Sequence, residues 1–265
     1  MHYQTYYTYK CNQIAERVAV GDDDKTLFPI RRSIAGVLHN MGSTFYHDDT
    51  EQAVISTEDL DTAQQHYDEA RVLNEEIGND QWRARNLFGL YTVTWRKGVL
   101  SPPSEKRTLY FEQALEYVQV GEALCRKVQQ DFFLCYMLSS QATILPLLGQ
   151  QERALPILKE GFQLACPLEH RTYVIKLLKA YYYQALYEKR WEEATQFLGA
   201  TIGQSKRWDI ALSDADSHLW PQVNLREILG VTRYELLYEA GAQSSLEALQ
   251  TLAAGFPETS PVELD

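Results

Sequence analysis

The sequence predicts an all-α protein, a right-handed α-solenoid of about five helical hairpins. Two observations predict it. Small, large and small residues recur at offsets of four and three: Ala63/Tyr67/Ala70, Ala114/Val118/Gly121, Ala154/Leu158/Gly161, Ala194/Leu198/Thr201 and Ala248/Leu252/Gly255. Residues so spaced share one helix face, where the small ones admit a neighbouring helix and the large one fills the seam. The middle units also keep a period, since Ala114 to Ala154 and Ala154 to Ala194 are each 40 residues, while the outer spacings lengthen to 51 and 54. A helical hairpin cannot bury its apolar face alone, so hairpins repeated in this way stack. The stretch Leu147–Gly161 shows one unit: a helix end, a turn at Gly149, and a second helix carrying Ala154, Leu158 and Gly161.

In chain order, Tyr3 to Val20 reads as an N-terminal helix with Tyr3, Tyr6, Tyr7, Ile14 and Val18 as its apolar positions; it stops at Gly21 and, with the acidic turn that follows, occupies residues 1–25. The repeat array spans 26–212. Its first helix starts at Leu27 or Pro29, proline suiting a first helical turn, and runs to Tyr46. After a loop from His47, either Thr57 or Asp59 caps a helix with Ala63, Tyr67, Ala70 and Leu73 that stops near Gly78. Asp80 to Lys97 carries Leu87, Phe88, Tyr91 and Trp95 at helical spacing. Gly98 to Arg107, with Pro102 and Pro103, is an insertion loop. Further helices follow over Thr108–Gln130, Phe132–Leu148, Glu152–Cys166, His170–Lys189 and from Trp191. A polar connection, Ser213 to Ser217, leads to a C-terminal pair within 213–256. Asn224 and Glu227 form a capping box that opens a helix ending at Ala240-Gly241, and Ser244 and Glu247 open a short one ending at Gly255. Residues 257–265 form a tail.

Charge excludes several classes of function. The net charge of −11 argues against general nucleic-acid binding and against anionic lipid. No apolar run approaches the roughly 18 residues of a membrane span. The N-terminus lacks the basic and apolar regions of a signal peptide, so a cytoplasmic location is expected. Cys11, Cys125, Cys135 and Cys166 show no metal-ligand spacing and read as buried reduced thiols. From Asp48 to Asp80 there are eleven acidic residues against Arg71 alone. That segment is a solvated face, a patch for a basic partner, or, through Asp48, Asp49 and Glu51, a metal loop of unfamiliar spacing. The basic residues Arg83, Arg85, Arg96 and Lys97 on the next helix are expected to pair with it.

No sequence motif for catalysis emerges. The histidines, His39 and His47 included, have no paired-ligand spacing, and Asp214, Asp216 and His218 read as a capped turn before a metal site. Serine, histidine and aspartate are not ordered into a triad, and no glycine-rich phosphate loop is present. The expectation is a protein that is not an enzyme and that uses no cofactor or metal. Tyrosine is the unusual feature. Tyr173, Tyr181, Tyr182, Tyr183 and Tyr187 crowd one helix, on which Lys176, Lys179, Tyr183 and Tyr187 share a side.

The units resemble the tetratricopeptide repeat (TPR), whose first helix carries a Leu-Gly-x-x-Tyr-like core and whose second carries Ala-x-x-x-Phe-x-x-Ala. Met41-Gly42-Ser43-Thr44-Phe45 with Ala63/Tyr67/Ala70 matches best; Phe88 or Gly89, Ala142 and Tyr182 stand near the glycine position of later units. The resemblance covers about residues 30 to 205. It departs from the family in period, which exceeds the usual value of about 34, and in lacking the closing proline. Long irregular units of this kind resemble the arrays of bacterial signal-transducing ATPase regulators, which sense an inducer or a partner, although this chain has no nucleotide-binding loop.

In such arrays the first helix of each hairpin lines a concave surface. The resemblance therefore implies a groove lined by Lys179, Tyr183 and Tyr187; by Tyr136, Ser139, Ser140 and Thr143; by Asn86 or Arg83; and by His39, Asn40 and Ser43. Tyrosine supplies contact area at low entropy cost and lysine holds a carboxylate, which suits a peptide. The expected function is a non-enzymatic protein–protein interaction module or scaffold binding a peptide or partner protein in that groove. Self-association is a further use of such a surface. The alternative is a ligand- or peptide-sensing domain of a bacterial regulatory system. The C-terminal pair reads as a capping hairpin, a protein-binding helix-hairpin-helix, or a DNA-contacting element. The last is disfavoured because Arg226 and Arg233 face seven acids from His218 onward.

Overall fold

The computed structural model describes residues 13, 24–44, 56–212 and 216–256. Most of the expected helix over 1–25, together with Phe45, His47, the acidic residues Asp48, Asp49 and Glu51, Asp214 and the tail 257–265, lies outside the described residues, as does Cys11. Among the described residues every regular element is helical: α1 Asp24–Thr44, α2 Thr57–Glu76, α3 Asp80–Leu100, α4 Glu105–Lys127, α5 Asp131–Leu147, α6 Gln151–Ala165, α7 Arg171–Tyr187, α8 Trp191–Trp208, a 3-10 turn Ser217–Leu219, α9 Leu225–Leu229, α10 Val231–Gln243 and α11 Leu246–Ala254.

The chain divides into two compact units, residues 1–133 and 134–265. In the first, α1 packs on α2, α2 on α3 and α3 on α4. In the second, α6 packs on α7, α7 on α8 and α8 on α10, and α11 returns to α6. The protein is thus all-α, and helices pack on their sequence neighbours in the local order of an α-solenoid.

One turn geometry closes helix after helix. Gly78, Gln129, Gly149, Glu169, Lys189 and Asp209 all have φ between 50° and 70°. In each case the next amide reaches back five residues: Asn79 N–H to Asn74 O at 2.7 Å, Gln130 to Cys125 at 2.9 Å, Gln150 to Leu145 at 2.9 Å, His170 to Ala165 at 3.1 Å, Arg190 to Ala185 at 2.9 Å and Ile210 to Ser205 at 3.0 Å. This is the Schellman closure, which satisfies a carbonyl that the helix end leaves open. From Gln129 to Asp209 the left-handed residues fall every 20 positions. Two such steps make the 40-residue period of the alanines.

Caps fix the helix starts. Ser56, rather than Thr57 or Asp59, is the N-cap of α2: its Oγ accepts the Asp59 amide at 3.0 Å and the Asp59 carboxylate accepts the Ser56 amide at 3.3 Å, a complete capping box. Ser104 caps α4 by accepting the Arg107 amide at 3.3 Å, so that helix starts before the expected Thr108. Helix α1 starts at Asp24 and carries Pro29 inside it. Asn224 and Ser245 cap α9 and α11, but the helix expected to run from Asn224 to Ala240 is two helices, because Gly230 at φ 75° and ψ 153° breaks it.

The seams follow three of the five triplets in full and a fourth at its small residues. Ala63, Tyr67 and Ala70, then Ala114, Val118 and Gly121, then Ala154, Leu158 and Gly161 are all buried. In α8 Ala194 and Thr201 are buried, but Phe197 takes the large position and Leu198 is half-buried. The fifth triplet is wrong by one residue. Ala248 and Gly255 are exposed, and Leu249, Ala253 and Phe256 enter the core.

Aromatic rings fill both cores. Tyr67 joins Leu60, Ala63, Leu87, Leu90 and Val93 in the first unit. In the second, Tyr181 stacks on Phe197 with centroids 4.9 Å apart, and Phe162 and Phe256 approach Tyr181 edge-on at 6.0 and 5.8 Å. The expected pairing of basic α3 with acidic α2 is present for Arg83 and Lys97. Arg83 bonds Glu75 at 2.8 Å, and Lys97, 7% exposed, reaches Asp61 and Gln64.

Candidate functional site

In the first unit the expected groove residues separate into a core and a surface. Asn86 is fully buried, not surface-lining. Its Oδ1 accepts from Asn74 Nδ2 at 3.0 Å, and its Nδ2 meets His39 Nδ1 at 3.1 Å. An amide nitrogen only donates, so Nδ1 accepts and the imidazole proton sits on Nε2. Burial, with Arg85 nearby, pushes the His39 pKa down to about 4, which keeps the ring neutral. The ring packs edge-on to Tyr67 and Trp82, at 5.3 and 5.5 Å. Ser43 donates to the His39 carbonyl at 3.0 Å and lies 3.1 Å from the Tyr67 hydroxyl. Arg83 is committed to Glu75 and Asp80. Asn40 is exposed. A buried amide bonded at both its oxygen and its nitrogen, with a neutral imidazole as one partner, specifies packing.

In the second unit the hydroxyls of α5 fold back on their own helix. Ser139 and Ser140 donate to the Tyr136 carbonyl at 3.1 and 2.8 Å, and Thr143 donates to the Ser139 carbonyl at 2.9 Å. Ser140 is buried, contrary to a groove position. Tyr136 lies against Tyr173 of α7 with centroids 3.9 Å apart, and His170 stands edge-on to both rings. Burial lowers the His170 pKa below its ordinary value.

The α7 face brings three expected residues together. Lys179 Nζ lies 5.6 Å from the Tyr183 ring centre, and Tyr183 and Tyr187 both meet the indole of Trp220. Tyr183 is not open to solvent. Trp220 stacks on it with centroids 4.0 Å apart and planes within 9°, and the two residues are 7% and 4% exposed. Tyr187 meets Trp220 edge-on at 6.2 Å. Lys179 Nζ bonds the Asp216 carboxylate at 2.9 Å. Asp216 and Trp220, which follow α8, therefore lie across the face that the tyrosines and lysine form. A lysine thus holds a carboxylate beside a tyrosine that stacks an aromatic ring, both contacts made by the chain on itself.

Neither Trp220 nor the Lys179 partner was assigned from sequence. The signal was a tryptophan followed by Pro221 in a polar connection. A large aromatic there needs a seat, and proline holds the preceding residue extended, as Trp220 is at φ −104° and ψ 157°.

Elsewhere, both arginines of the C-terminal pair face carboxylates: Arg226 bonds Glu235 at 2.6 Å and Arg233 bonds Glu192 at 2.7 Å. Cys125, Cys135 and Cys166 are buried, and burial pushes the thiols of Cys125 and Cys166 up to about 11. A cavity of about 440 Å³ between the α2–α3 and α4–α5 turns is lined by Asn79, Asp80, Gln81 and Val128 to Gln130, and holds none of the expected site residues. Among the described residues, no cluster of three or more His, Cys, Asp or Glu is placed to hold a metal ion, and no helix is long and apolar enough to cross a membrane. No family model matches the sequence, and no curated protein is significantly similar to it. The fold defines the class: an all-helical protein of helices paired in sequence order.

Proposed function

We propose that this chain is a non-enzymatic protein-interaction module of the tetratricopeptide-like kind, and that its second unit holds a partner peptide on the Lys179, Tyr183 and Tyr187 face of α7. One observation carries the reading. That face already binds a carboxylate and a flat ring in cis, through Lys179 to Asp216 at 2.9 Å and Tyr183 against Trp220 at 4.0 Å. The chemistry needed to hold a peptide is therefore built into α7. The arginine–carboxylate pairs of the C-terminal helices support setting nucleic acid aside.

The test is affinity capture from lysate of the source cells with the wild-type chain beside Lys179→Glu/Tyr187→Ala, read by mass spectrometry, with each differing protein re-measured in purified form. A partner whose affinity falls about tenfold or more in the variant supports the reading. If every captured protein binds both chains equally, the α7 face is not the interface. A sensing role in a bacterial regulatory system is the second reading. It is favoured by the same cis contact, since a segment seated on or lifted from α7 supplies the two states that sensing needs.

A further inference from the structure

We propose that Asp216–Trp220 is a built-in ligand of the α7 face, displaced by a partner peptide that carries its own carboxylate four residues ahead of a flat aromatic side chain. The inference rests on the reading of α7 as the partner-binding face, and it adds the partner's chemistry and the means of its regulation.

Four features of the segment support it. The connection between Trp208 and Leu225 is far longer than the three-residue turn between Tyr187 and Trp191, and long connections in compact helical proteins are commonly functional. Among its described residues the one regular element is the 3-10 turn Ser217–Leu219, so lifting Asp216 and Trp220 unpacks no α-helix there. Gln222 closes that turn by donating to the carbonyls of Ser217 at 2.8 Å and Trp220 at 3.1 Å, which holds Asp216 and Trp220 at a set spacing as a short peptide would be held. The seat is also incomplete. The buried indole Nε1 of Trp220 finds no acceptor among the described residues, and a partner that supplies one gains an interaction the chain's own segment forgoes.

A tethered segment acts at an effective concentration in the millimolar range, so it masks the face from weak peptides and yields to a better one. The spacing then sets selectivity: the carboxylate must reach Lys179 while the ring lies on Tyr183 and against Tyr187.

The experiment uses the full chain and a fluorescein-labelled peptide of residues 216–222 as the probe, followed by anisotropy. Asp216→Ala/Trp220→Ala removes the segment's carboxylate and indole from the face, giving the emptied variant, and is expected to bind the peptide at least about tenfold more tightly than the wild type, whose own segment competes. Adding Lys179→Ala to the emptied variant is expected to weaken binding about tenfold. Circular dichroism establishes that each variant is folded. If the double substitution does not fold, Asp216→Lys, which keeps Trp220 and sets a second cation against Lys179, is measured in its place. A folded emptied variant that binds the peptide no better than wild type overturns the proposal, as does binding indifferent to Lys179. The two readings fail separately. Peptide binding in trans without any α7-dependent partner in lysate leaves the segment an internal ligand and sinks the interaction module. An α7-dependent partner without peptide binding does the reverse.

Discussion

The ring of Tyr67 lies so close to the backbone of Gly89 that a Cβ at that glycine would stand 2.4 Å from the Tyr67 Cε1. The ring is also close to α1, because a Cβ at Gly42 would stand 3.0 Å from it. One tyrosine of α2 is thus held between glycines of α1 and α3, which ties three consecutive helices into one seam. Gly89→Ala would ordinarily help an α-helix by up to about 1 kcal/mol, yet here overpacking prevails and the first unit should lose about 1 to 3 kcal/mol. Gly36→Ala in α1, whose Cβ would meet nothing within 4 Å, is the control and should not destabilise. Urea denaturation of both variants checks this; equal stability of Gly89→Ala and wild type would mean that the ring has room to move.

Stability should fall as pH drops from about 6.5 toward 4. Above that window His39 is neutral in both the folded and unfolded chain. Within it the unfolded chain takes up a proton that the folded chain, with the His39 pKa pushed down to about 4, refuses. The loss levels off below pH 4 at about 3 kcal/mol. His66 and His170, also lowered by burial, act in the same direction, and Glu188, raised by burial, acts against it. The comparison is therefore differential: His39→Gln, which keeps an acceptor for Asn86 without titrating, should show a shallower slope of urea midpoint between pH 4.5 and 6.5 than the wild type.

How far the sequence could be read depended on whether the signal was local. The alanine triplets were legible because a small residue at a seam has no other local reason to recur. The same rule misled at the C-terminus, where Leu249, Ala253 and Phe256 use the identical offsets one residue later and bury the larger groups. Gly149 announced its turn. Gln129, Glu169 and Lys189 did not, since nothing in those side chains favours a left-handed backbone, and Asp209, whose short polar side chain tolerates it, is a weaker signal than glycine. On α7, helical periodicity placed Lys179, Tyr183 and Tyr187 together. It could not place Asp216 and Trp220 against them, because that contact joins residues 37 positions apart. The resemblance puts Asn86 and Ser140 in the groove, whereas a partner on the preceding helix or a carbonyl on the same one satisfies each inside.

Those left-handed turns should accept glycine with profit. Glu169 and Lys189 are exposed and sit at φ 50° and 57°, where an L side chain costs about 1 to 2 kcal/mol. Glycine removes that strain and returns part of the gain as unfolded-state entropy. Glu169→Gly and Lys189→Gly are each expected to stabilise the second unit by about 0.5 to 1 kcal/mol, and, being in separate turns, to add. Thermal unfolding of the singles and the double tests this; a destabilised single would mean that the side chain contributes more than its backbone strain costs.

Helices α8 and α10 approach backbone to backbone. A Cβ at Gly199 would lie 2.1 Å from the Tyr238 carbonyl oxygen, and one at Gly241 would lie 2.0 Å from that of Gln196. Carbonyls cannot swing aside as side chains do, so either alanine substitution forces the helices apart. Gly199→Ala and Gly241→Ala should each cost about 3 kcal/mol, and the double variant less than their sum, since the first separation makes room for the second methyl. A double-mutant cycle in urea reads the coupling; strict additivity would show that the two glycines do not share one interface.

Removing an oxygen from the core should strengthen it. Tyr181 is fully buried, and its hydroxyl has no hydrogen-bond partner among the described residues. The ring is held on several sides, by Phe197 in a stack and by Phe162 and Phe256 edge-on, so its position does not depend on the oxygen. Burial raises the phenol pKa far above its ordinary value, which keeps the group a neutral donor without an acceptor. An orphaned buried hydroxyl costs about 1 to 3 kcal/mol of desolvation that no bond repays. Tyr181→Phe keeps the ring and removes that cost, so it should raise the stability of the second unit by about 1 kcal/mol, read as a higher urea midpoint at unchanged slope. A variant less stable than wild type would mean that the hydroxyl has found an acceptor, with a buried water bridging to Cys166 as the first place to look.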